Sequence, residues 1–145
     1  MKVMLCGHRE LHDRTAVERW LLETCADLID QGADTFYLGG YGAFDALGAD
    51  ILRRLKGQYS HIQVCLIVPY PDFKKIADGY DELIYPPLEH VPRRYAIVKR
   101  NEWMVRESDT VVAYVLYSWG GAASTLRYAQ KNRKRIIGFK RLVDT

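Results

Sequence analysis

An apolar run that ends at a glycine pair and resumes as a helical pattern constrains this chain more than any other feature. From Asp109 to Asn132 the residues DTVVAYVLYSWGGAASTLRYAQKN read as strand, tight loop and helix. Val111, Val112, Ala113, Tyr114, Val115 and Leu116 form a continuous β-rich run, the pattern of a strand covered on both faces. Gly120 and Gly121 remove side chains where the backbone turns, and Ala122, Leu126 and Ala129 then recur at helical spacing. A helix N-terminus after such a turn presents unpaired N–H groups and the positive end of the helix dipole. Both favour an anion, so the first expectation is a phosphate-bearing small molecule.

The 145 residues suit one domain spanning 1–145, with room for a conventional core. No apolar stretch approaches the ~18 residues of a membrane span, and the opening MKVMLCGHRE runs directly into a strand instead of a signal sequence. A cytoplasmic protein without membrane contact is expected. Cys6, Cys25 and Cys65 each sit inside an apolar pattern, with no C-x-x-C and no Cys/His grouping. Buried free thiols follow, and no disulfide scaffold or zinc site. Charge is divided unevenly: residues 1–92 hold 9 Lys and Arg against 14 Asp and Glu, residues 93–145 hold 12 against 4. The basic half reads as a nucleic-acid face, as the setting of an anionic ligand, or as solvated surface.

In chain order, Lys2 to Cys6 reads as a first strand leading into Gly7, His8 and Arg9. Thr15 with Glu18 has the form of a capping box, so a helix is expected from Thr15 to Gly32 with Val17, Leu21, Cys25 and Leu28 on its apolar stripe. Thr35 to Leu38 is a second strand, followed by Gly39, Gly40, Tyr41 and Gly42. Phe44, Leu47, Ile51 and Leu55 mark a second helix, and Ile62 to Val68 a third strand. Residues 69–92 carry all five prolines together with Tyr70, Phe73, Tyr80 and Tyr85. Such a connection is expected to carry a short helix near Phe73 to Ala77 and to act as an aromatic lid, a dimer contact or a plain crossover. Pro92 suits the first position of a helix running to Glu107, and Arg135 to Phe139 supplies a fifth strand.

This alternation implies a three-layer α/β/α fold with a five-stranded parallel sheet in the order 3-2-1-4-5. The ligand crevice of such a sheet opens at the carboxyl ends of strands 1 and 4, where the order reverses. Three glycine-bearing loops then converge on one edge: Gly7-His8-Arg9, Gly39 to Gly42, and Ser118 to Gly121. Neither the G-x-G-x-x-G dinucleotide fingerprint nor the G-K-[ST] ending of a P-loop is present, so no bound cofactor is expected. His8 and His12 are four apart, but the capping signal starts the helix beyond them, so no metal is expected. His8 and Arg9 read as hydrogen-bond donors at the crevice, with a solvated Arg9 the alternative. Arg100 shares a helix face with Ile97 and Met104, and a cation on an apolar face either reaches water or meets an anion. Asp45 caps its helix or holds a ribose hydroxyl. Phe44 and Trp119 are aromatic candidates for contact with a base.

Four segments together resemble the SLOG superfamily of Rossmann-like proteins, which includes the LOG proteins and DprA, with the small YpsA-like branch nearest. They are C-G-H-R after the first strand, F-Y-L-G-G-Y-G-A-F-D after the second, R-N-E-W-M-V-R-E-S-D before the fourth, and S-W-G-G-A-A-S-T after it. LOG proteins carry a similar R-K-x-x-M…S-D segment directly before P-G-G-x-G-T-x-x-E. LOG enzymes are phosphoribohydrolases of nucleoside 5′-monophosphates, and the resemblance places their motif arginine at Arg100 and their glycine pair at Gly120 and Gly121. Ser124 and Thr125 continue that motif. Arg127 stands where LOG proteins have the catalytic glutamate, and Trp119 where they have proline. The catalytic candidates are therefore Arg100 with Asp45 or Glu102 as a substitute carboxylate. The resemblance implies binding or sensing of a nucleotide-derived, ADP-ribose-like ligand. An N-glycosidic hydrolase is the second expectation and DprA-like binding of single-stranded DNA the third. It also implies self-association, with a homodimer expected.

Overall fold

The computed structural model describes residues 1–72 and 79–140. Six parallel strands form one sheet: β1 (Lys2–Gly7), β2 (Thr35–Leu38), β3 (Gln63–Ile67), β4 (Glu82–Ile84), β5 (Thr110–Tyr114) and β6 (Arg135–Gly138). Among the described residues, four α-helices accompany them: α1 (Arg14–Asp30), α2 (Ala43–Leu55), α3 (Ala96–Glu107) and α4 (Gly121–Lys131). The strand order is β4-β3-β2-β1-β5-β6.

Helices cover both faces because successive strand residues point to opposite sides. Val3, Leu5, Phe36, Leu38, Val64, Val112 and Tyr114 pack with α1 and α2. Their neighbours in sequence, Met4, Cys6, Tyr37, Cys65, Val111 and Ala113, pack with α3 and α4. Every residue of β5 is buried, as its unbroken apolar run requires.

The sheet departs from the expected five strands by one. The additional strand, β4, lies inside the proline-rich crossover and pairs Cys65, Leu66 and Ile67 of β3 with Glu82, Leu83 and Ile84. Three residues on an exposed sheet edge are too few to show a strand period, and the flanking prolines read as a loop. The other five strands stand in the expected order. The helix expected near Phe73 to Ala77 falls outside the described residues.

Two helix starts also differ. Asp13, in the left-handed region at φ 56°, caps α1 by accepting the Ala16 N–H, so the cap is not Thr15. An Asp tolerates that conformation better than most residues, and with the cap two positions earlier the helix begins at Arg14. Pro92 precedes a short 3-10 turn at Arg93–Tyr95 before α3 proper. Cys6, Cys25 and Cys65 are free and buried, and burial pushes their thiols up to about 12, 12 and 11. Among the described residues, no helix is long and apolar enough to cross a membrane.

The topology fixes where a site can form. From β1 the chain winds outward through β2, β3 and β4, then returns by α3 to place β5 on the other side of β1. The β1–α1 and β5–α4 loops therefore leave neighbouring strands on opposite courses, and a crevice opens between them.

Candidate functional site

The crevice at the carboxyl ends of β1 and β5 has a volume of about 400 Å³. Its floor begins at Gly7, where a Cβ would lie 2.3 Å from the ring of Phe44, so only glycine lets the first turn of α2 pass beneath β1. The next residue, His8, is 4% exposed and fixed on several sides. Its Nε2 accepts the Leu116 N–H at 2.8 Å, which assigns the ring proton to Nδ1. Burial lowers its pKa, assisted by the nearby His12. The ring meets Tyr114 edge-on at 5.6 Å and stacks on Tyr117 at 3.8 Å and 7°. Tyr117 in turn stacks on Trp119 at 4.3 Å and 24°, and Trp119 is 67% exposed.

Arg9 ties this loop to the β2–α2 loop. Its carbonyl accepts the Ala43 N–H at 2.7 Å, and its exposed guanidinium lies 4.8 Å from the Tyr41 ring centre. Beyond Tyr41 comes Asp45, buried in the first turn of α2, whose carboxylate accepts the Tyr41 N–H at 3.2 Å. Burial pushes its pKa up to about 6, against the pull of that N–H and of Arg100.

Arg100 enters from α3 and is 3% exposed. Its Nη1 donates to the carbonyls of Gly39 at 3.1 Å and Ile67 at 2.7 Å, and its Nε to Asn101 Oδ1 at 2.8 Å. Burial lowers its pKa, while Asp45 raises it. A cation held at this depth brings a positive field to the crevice floor, whereas at the surface water would screen it.

The third wall is the start of α4. Gly120 is its N-terminal boundary, no side chain caps it, and its first turn holds no acidic residue. Gly121 and Ala122 line the crevice, so the unpaired N–H groups of that turn lie at its wall. Thr125 Oγ1 is engaged with the Gly121 carbonyl at 2.9 Å, and Cys6 Sγ with that of Ala122 at 3.5 Å.

Of the residues singled out in the sequence, Gly7, His8, Arg9, Gly39, Asp45, Arg100, Trp119, Gly120, Gly121 and Thr125 come together around the crevice. Gly40 and Gly42 shape the β2–α2 loop without lining it. Phe44 stands apart from its expected place: it is fully buried, stacked on Tyr114 at 5.6 Å, and offers no face to a ligand. Adjacent helix positions lie about 100° apart, so when Asp45 faces the crevice Phe44 must face the core. Ser118 is exposed, and its carbonyl accepts from Arg127 Nη1 at 2.8 Å. Glu102 and Ser124 lie with Arg127 along a neighbouring groove between α3 and α4, and Glu102 pairs with Lys99 at 3.1 Å. Tyr41, Asn101 and Tyr117 line the crevice although the sequence reading passed over them. Tyr117 lies at a bend beyond the end of β5, so no strand period marks it in the sequence.

Among the described residues, the arginines flanking α3 and β6 do not form one track. Arg93 and Arg94 lie in the short 3-10 turn before α3, with Arg93 paired to Asp72 at 3.4 Å. Arg135 opens β6 at the other edge of the sheet and donates to the Gln31 side chain, and Arg133 stands in the turn before it.

No family model matches the chain. UPF0398 protein BH1768 of Halalkalibacterium halodurans is 26% identical over 123 residues, a match covering 74% of this chain and 62% of that protein. The chain thus spans about three-fifths of the length of this relative. DNA processing protein A from Helicobacter pylori, described for its single-stranded DNA binding mode, has a similar structure. Its TM-score is 0.70 at 17% identity over 99% of this chain and 67% of that one. The molybdenum cofactor carrier protein of Chlamydomonas reinhardtii gives a TM-score of 0.63 at 14% identity over 94% and 74%. At these identities the structural likeness establishes a shared Rossmann-like α/β architecture.

Proposed function

We infer that this chain is a SLOG-type protein, as its sequence motifs and its Rossmann-like relatives support, and that its crevice binds a phosphate-bearing, nucleotide-derived small molecule of the ADP-ribose class. The observation that carries the reading is the convergence of buried Arg100 and the uncapped N-terminus of α4 on one crevice. A buried guanidinium supplies full charge, and the helix start supplies directed N–H donors. Together they suit a phosphate or diphosphate better than a neutral ligand. The crevice volume of about 400 Å³ lies in the range of small-molecule sites.

Saturation-transfer proton NMR with AMP, NAD, ADP-ribose and adenosine tests this. Transfer to the phosphorylated molecules and not to adenosine is expected. Gly121→Asp, which sets a carboxylate at the helix start, should abolish it. No transfer to any of them, or transfer unchanged in the variant, overturns the reading.

A hydrolytic second reading is favoured by Asp45. Cleavage of an N-glycosidic bond needs a carboxyl group to activate water, and burial has pushed this one up to about 6, close to neutral pH. Arg127, at the position of the LOG glutamate, is exposed and turned to the Ser118 carbonyl. Free base appearing in the NMR sample over hours, and ceasing with Asp45→Asn while ligand transfer persists, would establish this reading. DNA binding has weaker support, because Arg93 and Arg94 lie in the turn before α3, whereas Arg133 and Arg135 lie where β6 begins at one edge of the sheet.

A further inference from the structure

We propose that the ligand carries a planar aromatic ring which stacks on the outer face of Trp119, so that the site prefers purine to pyrimidine and either to a bare sugar phosphate. The inference rests on the crevice reading above and adds what recognises the other end of the molecule.

It follows from the three-ring ladder. Its foot is held in the core: His8 is bonded to the Leu116 N–H and set edge-on to Tyr114. Tyr114 is itself fully buried, its hydroxyl accepting the His12 N–H at 2.9 Å and donating to the His12 carbonyl at 3.2 Å. From that anchor the rings stack outward through Tyr117 to Trp119, so Trp119 has one face covered by Tyr117 and remains 67% exposed at the crevice wall. A tryptophan on a flexible loop would have to be ordered by its ligand; one already stacked from below has lost that freedom beforehand. Beside it, Gly120 and Gly121 leave open space, with nothing within 4 Å of where a Cβ would lie. A molecule with its phosphate at the start of α4 therefore has room to lay a ring against the neighbouring indole.

Selectivity follows from area. Stacking on an aromatic side chain uses the π-face that every base possesses, and a larger ring system covers more of the indole. Discrimination between a nucleotide and its baseless sugar phosphate is expected at roughly tenfold or more.

The test compares AMP, CMP and ribose 5-phosphate by NMR titration and by tryptophan fluorescence. Trp20 packs against Phe139 and Trp103 against Tyr37, so Trp119 is the exposed reporter. Affinity should fall from AMP to CMP to ribose 5-phosphate, with quenching for the first two alone. Trp119→Leu, with an unchanged melting temperature, should bring AMP down to the level of ribose 5-phosphate and leave the latter unaltered. Trp119→Phe should retain part of the preference. Ribose 5-phosphate binding as tightly as AMP would overturn the proposal and leave the phosphate site standing, and so would a preference for AMP that survives Trp119→Leu. If none of the three binds, the proposal falls as well, and the ADP-ribose experiment decides the crevice on its own.

Discussion

Two helices of this protein begin in the same way and end up with opposite uses for their N-termini. Gly42 before α2 has φ 91° and ψ 176°; Gly120 before α4 has φ 93° and ψ 176°. Neither helix has a side-chain cap. At α2 the chain closes over the start: a Cβ on Gly42 would lie 2.8 Å from Arg9 Cα, and Asp45 brings its own carboxylate into the first turn. At α4 there is no acidic residue in the first turn and open space around both glycines. One helix start has its negative charge supplied from within the chain, while the other is left for charge from outside. The turn geometry alone does not make an anion site; what surrounds the turn decides.

The largest effect should come from forcing a side chain into each turn. Both glycines occupy a backbone region almost closed to other residues, at a cost of about 1–3 kcal/mol for alanine. Gly42→Ala adds a clash with backbone that cannot swing away, and a total loss of about 3–5 kcal/mol is expected. Gly120→Ala meets nothing and should lose only the conformational part. Urea unfolding of the two variants measures the gap, and equal losses would break the comparison.

Next in size is the cost of the internal charge. Asp45 has a folded-state pKa of about 6, raised from the 3.8 of an unperturbed Asp. The folded protein therefore holds this proton more firmly than the unfolded chain, and stability falls as pH rises from 3.8 through 6. By the usual linkage the loss amounts to about 3 kcal/mol above that window. Asp45→Asn removes the burden and should stabilise the protein by about 2–3 kcal/mol at pH 7.5, with the gain fading near pH 4. His8 acts with the opposite sign, because its lowered pKa gives stability that is present above 6.5 and lost as pH falls through the folded value. The Asp45 contribution is thus read as the difference between wild type and variant at each pH. A variant no more stable than wild type at pH 7.5 would show that α2 needs its carboxylate.

Much of this arrangement could be read from the chain, for identifiable reasons. Strands β1, β2, β3 and β5 announce themselves because both-face burial demands apolar runs, and the glycines after β1, β2 and β5 mark the loops that meet at the crevice; β6, a sheet edge with no fully buried residue, shows only through the β-branched pair Ile136 and Ile137. β4 leaves no such trace, since Glu82 and Leu83 on the exposed edge need not be apolar for any reason of packing. Asp45 and Arg100 were visible as polar residues in apolar patterns. That both line one crevice depends on α3 returning across the sheet, which no local pattern contains. Phe44 shows the limit from the other side: an aromatic next to a glycine loop suggests a ligand, yet a rotation of one helix position sends it under Gly7. Tyr117 was missed because its role is relational, gained only when His8 from another strand comes to lie beneath it.

The smallest effect on stability should follow from giving α4 what α2 already has. Gly121 has an ordinary backbone conformation and nothing near its Cβ, so Gly121→Asp adds a carboxylate at the first helical position without a clash. A negative charge there interacts favourably with the helix dipole, and a gain of about 0.3–1 kcal/mol is expected, shrinking as salt is raised. The same charge repels an incoming phosphate, so the variant should combine a slightly higher melting temperature with loss of nucleotide binding. That pairing separates the two uses of a helix start. Raised stability with binding retained would mean that the ligand does not rely on α4, and lowered stability would mean that the open start of α4 is not electrostatically the counterpart of α2.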